Sequence, residues 1–356
     1  MIKQHIETYL ESSKQLFSKK FISVIIISIP SAIVADYFNI PLAWMLGPMV
    51  ITSTAALAGL KVKMPKLALS SILIILGLHI GNYIDQNLFN QMINWVWTSF
   101  IMLIYIIVCI LIVSKYLQKF SGYGEKASIF SAAPGALGPL MILAEDQKTD
   151  LSHVATSHLI RLIIIVTVFP FFVNSYYDAN LGDFVQETFK DQNINDLIVL
   201  IIFSIVLIFI FDRFKVPAAL LSGTLVASGF LQITEIASYQ ISPKIVDYCL
   251  LILGASVGCR FADKSFNEVA KNAFHSFIAT FLLVLLGIIA ASAASLIIDK
   301  NFFTLLLSYC PGGIYEVAVI AIFFNLDPEF VSFHHIIRLL MILFVVPIIL
   351  RFLQKT

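Results

Sequence analysis

Two arginines and two histidines lie within long apolar runs, where ionisable side chains are rare. His158 and Arg161 are three residues apart, and so are His335 and Arg338. Each pair follows a helix-breaking dipeptide: Pro134-Gly135 before the first, Pro311-Gly312-Gly313 before the second. Proline to arginine is 27 residues in both (161 − 134; 338 − 311), and arginine to the next proline, Pro170 or Pro347, is 9 (170 − 161; 347 − 338). A guanidinium in apolar surroundings costs several kcal/mol unless paired, so it is a functional candidate by default. It would bind a carboxylate or another anion. The imidazole one turn earlier could carry a proton. Glu316 lies five residues after Pro311; the matching position in the first copy is Pro139, which has no charge. A Pro-Gly in mid-segment breaks a helix and leaves a half-helix N-terminus with free N–H groups and a partial positive charge. The candidate substrate- or ion-binding set is therefore Arg161, Arg338, Glu316, His158, His335, Pro134, Gly135, Pro311, Gly312 and Gly313. It leans positive, which points to an anionic solute, with Glu316 and the histidines available for a coupled proton. The competing reading is structural: Arg338 and Glu316 lock each other, and Arg161 binds helix-end carbonyls.

These groups need long helices to carry them. Asp327-Pro328-Glu329 has the form of a helix start, and Asp150 occupies the equivalent cap. Each arginine comes 11 residues after its aspartate (161 − 150; 338 − 327), about three turns or roughly 16 Å along, near the midplane of a bilayer. Composition agrees with a membrane setting. The chain of 356 residues is 59% hydrophobic and 13% charged, with mean hydropathy +0.92. A soluble domain carries roughly 25% charged residues. The net charge of +1 leaves no basic surface for nucleic acid. Cys109, Cys249, Cys259 and Cys310 are irregularly spaced in apolar segments and read as small core residues.

The duplication covers most of the chain. Pro41 to Gly47 matches Pro217 to Gly223 at an offset of 176; Gly77 and Gly81 match Gly254 and Gly258 at 177; Pro134, Asp150, His158, Arg161 and Pro170 match Pro311, Asp327, His335, Arg338 and Pro347, also at 177. The expected organisation is a cytoplasmic lead-in (1–20), a first membrane repeat (21–175), a polar linker (176–195) and a second repeat (196–356). Residues 1–20 lack the features of a signal peptide. Apolar segments fall at 20–37, 41–60, 66–84, 93–114, 125–146 and 154–175, then at 196–212, 217–233, 243–261, 271–298, 302–325 and 331–350.

Charge sets the topology, because short cytoplasmic loops are rich in Lys and Arg. Lys14, Lys19 and Lys20, then Lys61, Lys63 and Lys66, then Lys115, Lys119 and Lys126 all favour the inside. So do Arg213 with Lys215, and Arg260 with Lys264 and Lys271; the acidic linker suits the outside. Three apolar segments separate Lys126 from Arg213, yet both ends favour the inside, so one segment fails to cross. The segment broken at Pro134 is the natural one, with its copy at Pro311 entering from the opposite face. The predicted fold is an all-α integral membrane protein of two inverted-topology repeats, with about ten spans plus two broken, re-entrant segments. The alternative is twelve plain spans in parallel repeats.

Duplicated Pro-Gly segments, a following helix with a buried Arg, and Pro-x-x-x-x-x-Gly openings resemble the AbrB family of bacterial multi-pass membrane proteins. The resemblance covers nearly the whole chain after residue 20. Pro311-Gly312-Gly313-Ile314-Tyr315-Glu316 keeps the family pattern; the first copy departs from it at Ala136 and Pro139, which puts a symmetric two-Glu site in doubt. The family often carries an ammonia monooxygenase label, and a proteobacterial member is named as a regulator of gene expression. It shares its name with a small soluble DNA-binding regulator that this chain does not resemble.

Three function classes follow. A transporter of a small, anionic solute suits the doubled midplane site best. A regulator of gene expression would act indirectly, through a transported signal or a soluble partner, because no DNA-binding domain is visible. A monooxygenase needs a copper or iron site, and His5, His79, His153, His158, His275, His334 and His335 form no ligand set with carboxylates or cysteines. No cofactor or metal is expected. The expected partners are the lipid bilayer, a solute or ion whose movement could be proton-coupled, and a second copy of the chain. The expected location is the bacterial cytoplasmic membrane, with both termini inside.

Overall fold

The computed structural model describes residues 13–84, 88–135, 137–177, 193–214, 216 and 218–353, and these contain α-helices and no strands. Most of the expected lead-in (1–12) and linker (178–192), with Ala136, Lys215 and Pro217, lies outside the described residues. The first copy folds as α1 (Lys19–Tyr37), α2 (Ala43–Leu57), α3 (Lys66–Gly81), α4 (Leu88–Ser121), α5 (Glu125–Ala132), α6 (Leu137–Asp146) and α7 (Leu151–Tyr177). The second repeats the series: α8 (Ile194–Arg213), α9 (Ala219–Ile233), α10 (Pro243–Cys259), α11 (Phe266–Ser295), α12 (Phe302–Tyr309), α13 (Ile314–Phe323) and α14 (Pro328–Leu353). Among the described residues six helices, α1, α4, α7, α8, α11 and α14, are long and apolar enough to cross a bilayer. They are the same three members of each copy. Helices α2, α3 and α9 are apolar but run only 15 or 16 residues, about 22–24 Å at 1.5 Å per residue. Helix α4 extends past the apolar run 93–114 at both ends, since hydropathy marks the buried stretch of a helix and not its last hydrogen bond.

The breaks fall where expected. Helix α5 ends at Ala132 and α6 begins at Leu137; α12 ends at Tyr309 and α13 begins at Ile314. Proline is the cause. The residue before a proline is pushed out of the helical region, and Ala133 (ψ 123) and Cys310 (ψ 132) are extended. The duplication also appears in rare backbone states. Leu42 (φ 53) and Ala218 (φ 54) are left-handed at an offset of 176 (218 − 42), Lys148 (φ 51) and Asn325 (φ 50) at 177 (325 − 148). Left-handed non-glycine residues cost about 1–2 kcal/mol each, so their recurrence reflects the same local packing built twice.

The sequence repeats are not the compact units. The described residues of Met1–Ile84 and Pro170–Phe266 form one unit; those of Asp85–Phe169 and Asn267–Thr356 form the other. The first unit takes α1–α3 and α8–α10, the first three helices of each copy, together with the end of α7 from Pro170. In it α3 packs on α9 and α10 packs on α2, and small residues set both contacts. A Cβ on Gly77 would lie 2.6 Å from Leu221 O, and one on Gly81 2.4 Å from Ser228 Cβ. In the mirror contact, a Cβ on Gly254 would lie 2.1 Å from Met45 O, and one on Gly258 2.7 Å from Ser53 N. Ser228 Oγ donates to Leu78 O (2.9 Å), and Thr52 Oγ1 lies 3.4 Å from Ala255 O. Small-residue stripes of this kind let apolar helices approach closely. The register advances in the same direction on both partners, so α3 runs parallel to α9, and α2 runs parallel to α10.

Candidate functional site

The second unit carries the candidate site. At each break the last carbonyls of a half-helix have no intrahelical partner, and an arginine of the following long helix fills the vacancy. Arg161 of α7 donates from Nη1 to Ala133 O (3.1 Å) and Ser131 O (3.4 Å), and from Nη2 to Gly135 O (3.4 Å) and to His158 Nδ1. His158 Nε2 bonds Phe130 O (2.9 Å). Arg338 of α14 repeats the pattern: Nη1 to Cys310 O, Nη2 to Gly312 O (2.7 Å) and to His335 Nδ1 (3.0 Å), with His335 Nε2 on Leu307 O (3.0 Å). The carbonyls match at 177 as the side chains do (307 − 130; 310 − 133; 312 − 135). All four side chains are buried.

This geometry fixes the imidazoles. Nε2 faces a carbonyl and must donate to it, so Nδ1 accepts from the guanidinium. With the arginine donating there, neither ring nitrogen has room for a second proton. The histidines therefore orient the arginines, and the sequence expectation that they carry a proton does not fit these bonds. The guanidinium charge lies at the C-terminal end of a half-helix, where the helix dipole favours a cation. Of the two structural alternatives raised by the sequence, the carbonyl cap holds for Arg161 and also for Arg338. Among the described residues Arg338 Nε has no hydrogen-bond partner.

Hydrogen-bond register gives the direction of the half-helices. Along α7, from His158 to Arg161, the bonded carbonyls move from Phe130 to Ala133 and Gly135. Along α14, from His335 to Arg338, they move from Leu307 to Cys310 and Gly312. Helix α5 thus runs parallel to α7, and α12 parallel to α14. The breaks also pack reciprocally. A Cβ on Gly135 would lie 2.7 Å from Ile342 Cδ1, and one on Gly312 3.5 Å from Ile165 Cγ2. Ile165 and Ile342 each lie one turn after their arginine. Each arginine helix therefore holds its own break with the guanidinium and touches the other break with the isoleucine.

Glu316 is buried in the first turn of α13. Its carboxylate folds back over the helix start: a Cβ on Gly313, the N-cap, would lie 2.1 Å from Glu316 Oε2. A Glu at the third helical position reaching back to its cap is the arrangement of a capping box. Helix α6 has no acidic residue in its first turn.

The sequence pattern did not reveal Tyr105 and Cys109 of α4, one turn apart. Both are buried and lie within electrostatic reach of Arg161 and Arg338, and the two arginines lie within reach of each other. Tyr105 packs edge-on against Tyr309 (5.9 Å). The available signal was a hydroxyl in mid-span. His334 is tied to Thr98 Oγ1 (2.8 Å) and Phe330 O (2.9 Å). Asp150 caps α7 as expected, accepting from Ser152 N (2.9 Å) and His153 N (3.3 Å). Asp327 differs: it takes φ 42, and its carboxylate binds Lys300 Nζ (2.9 Å) and Thr304 Oγ1 (3.3 Å). Among the described residues no three His, Cys, Asp or Glu side chains form a group that could hold a metal ion.

Known proteins share this sequence along its length. It is 21% identical to "Uncharacterized protein YhjN" of Bacillus subtilis (strain 168), covering 93% of this chain and 92% of that protein. It is 23% identical to "Putative regulator AbrB" of Escherichia coli (strain K12), covering 89% and 91%. No solved structure matches. The profile described as "Transition state regulatory protein AbrB" matches residues 8–354, and on this match, carried across both copies of the break and the arginine helix, the chain belongs to the AbrB family.

Proposed function

We propose that the chain is a secondary transporter of a small anionic solute, working through a midplane site where the two breaks and the two arginine helices meet. The observation that carries this reading is the doubled break held by a buried arginine. On this reading two half-helix N-termini lie at the depth of two guanidinium groups that are capped by carbonyls, and an anion or a carboxylate would complement the N–H groups left free there. The arginines act mainly by holding each break open against its dipole, and the solute meets the N–H groups beyond them.

The directions of the helices support inverted repeats. Helix α5 parallel to α7 supports a segment in which α6 turns back as a re-entrant hairpin. Helix α3 parallel to α9, the counterpart of α2, supports opposite orientation of the copies, given a short loop between α2 and α3. Contacts near helix ends agree with this sidedness. Asn82 Nδ2 donates to Tyr239 O (2.8 Å) and Tyr116 bonds His275 Nδ1 (3.1 Å), pairs that this reading assigns to the outer and the inner side respectively. The reading gives ten spans and two hairpins, with both termini cytoplasmic. A regulatory effect, as the name of the Escherichia coli relative suggests, would arise through the transported solute.

The test is transport by purified protein in proteoliposomes, read as solute-induced current or internal pH change across a panel of small organic and inorganic anions. At least one anion should give a response that Arg161→Met and Arg338→Met abolish. Folded protein that moves none of them contradicts the proposal.

A further inference from the structure

The arginine caps leave one buried histidine of α14 unused, and its surroundings admit a second proton. Resting on the anion-transport reading above, we infer that His334 is the proton-binding site of the transporter, so that a proton moves with the solute. His334 is buried and faces two groups: Nδ1 meets Phe330 O (2.9 Å) and Nε2 meets Thr98 Oγ1 (2.8 Å). A carbonyl only accepts, so Nδ1 carries a proton in either state. Thr98 Oγ1 also lies 2.9 Å from Trp95 O, one turn back along α4. Its single hydrogen therefore has two acceptors to choose from. Donated to His334 Nε2, it serves a neutral imidazole. Donated to Trp95 O, it turns a lone pair towards Nε2, which then holds a proton and donates. Both protonation states keep their hydrogen bonds, and only a hydroxyl rotates between them. His158 and His335 lack this freedom, because an arginine donates to each Nδ1 while each Nε2 donates to a carbonyl.

The rings around His334 favour its cation. The centroids of Phe330 (4.1 Å), Phe333 (5.4 Å), Trp95 (6.3 Å) and Tyr309 (6.4 Å) lie close to the imidazole, and aromatic faces attract a positive charge at such range. The titratable and charged groups about it are Tyr309 of α12, whose hydroxyl donates to Thr98 O (2.7 Å), His335 and Arg338 further along α14, and Lys300, which lies over the Phe330 ring (5.6 Å) and pairs with Asp327 (2.9 Å). The carboxylates of α13 and α14 are Glu316 and Glu329, each in the first turn of its helix.

His334 precedes Arg338 by four residues (338 − 334), about one turn or roughly 6 Å along the axis. A proton there adds positive charge beside the anion site, and a bound anion must raise the proton affinity by the same factor. Ser157 stands at the matching position of the first copy (334 − 177), so the duplication does not double this site.

The test reads protonation from Trp95 in full-length protein in detergent, with Trp44→Phe and Trp97→Phe leaving it as the one tryptophan of three. An imidazolium beside an indole quenches its emission. Acidification from about pH 8 to about pH 4, the span in which buried histidines titrate, should therefore dim Trp95 in a single-proton step. His334→Gln should abolish the step. Thr98→Ser should keep it, and Thr98→Val should lower its midpoint by about one pH unit or more, because the imidazolium loses an acceptor. An anion that is transported in the panel above should raise the midpoint by about one unit, a tenfold coupling. No step, or a step that survives His334→Gln, overturns this inference and leaves the transport reading standing. If His334→Gln does not fold, equal midpoints in Thr98→Ser and Thr98→Val overturn it. A midpoint that a transported anion leaves unmoved overturns the coupling. Failure of every anion to be transported overturns the transport reading, while the titration still decides whether His334 binds a proton.

Discussion

At the scale of the residue, spacing identified Arg161, Arg338 and their histidines, and the repeat at 177 made them stand out. Their partners were not legible. The carbonyls they bind are 26 to 30 residues earlier, and a backbone carbonyl leaves no mark in composition. Glu316 was the visible anion in the sequence and so the obvious mate for Arg338, whose guanidinium the structure shows on the carbonyls of Cys310 and Gly312. The carbonyl cap has a measurable consequence. Lysine carries its charge at one point and cannot bridge two carbonyls as the guanidinium fork does. Arg161→Lys and Arg338→Lys should each destabilise the solute-free protein by about 2–4 kcal/mol, the value of lost charged hydrogen bonds and orphaned carbonyls. Thermal melts in detergent would show this as a lowered midpoint. An unchanged midpoint with lost transport would mean that the arginines serve the solute alone.

At the scale of the element, proline and glycine made most of the fold readable. Pro134 and Pro311 fix the breaks through the residue before them, and the segment positions follow from the apolar runs. Glycine spacing marked the close contacts, but only the structure shows which helix each one meets, because pairing between distant segments is not a local property. The mates are crossed between the copies: Gly254 of α10 lies against α2, and Gly77 of α3 against α9. Gly254→Ala would place Cβ 2.1 Å from Met45 O, a backbone atom that cannot move aside alone. It should cost about 1–3 kcal/mol through forced separation of α10 from α2. Gly287 of α11 is the contrast. Among the described residues its Cβ would meet nothing closer than 3.6 Å, so Gly287→Ala should be neutral or stabilise by up to about 1 kcal/mol through helix propensity. Unfolding midpoints of the two variants measured side by side would check both signs.

At the scale of the whole molecule, the account turns on inverted copies, each with a segment that enters and leaves by the same face. The charge pattern points to this arrangement, since Lys126 and Arg213 both favour the inside across three apolar segments. What the pattern could not convey is the exchange of halves, by which the first three helices of each copy, with the end of α7 from Pro170, form one compact unit and the described residues of Asp85–Phe169 and Asn267–Thr356 form the other. The most direct measurement is cysteine accessibility in intact cells, with Cys109, Cys249, Cys259 and Cys310 first replaced. Single cysteines would be placed at Lys148 between α6 and α7, at Asp183 in the linker, and at Asn325 between α13 and α14. Inverted copies with re-entrant breaks predict that positions 183 and 325 react with an impermeant maleimide in intact cells, and that position 148 reacts only after permeabilisation. Labelling at 148 in intact cells, with 183 protected until permeabilisation, would mean that the broken segments cross and would contradict the account.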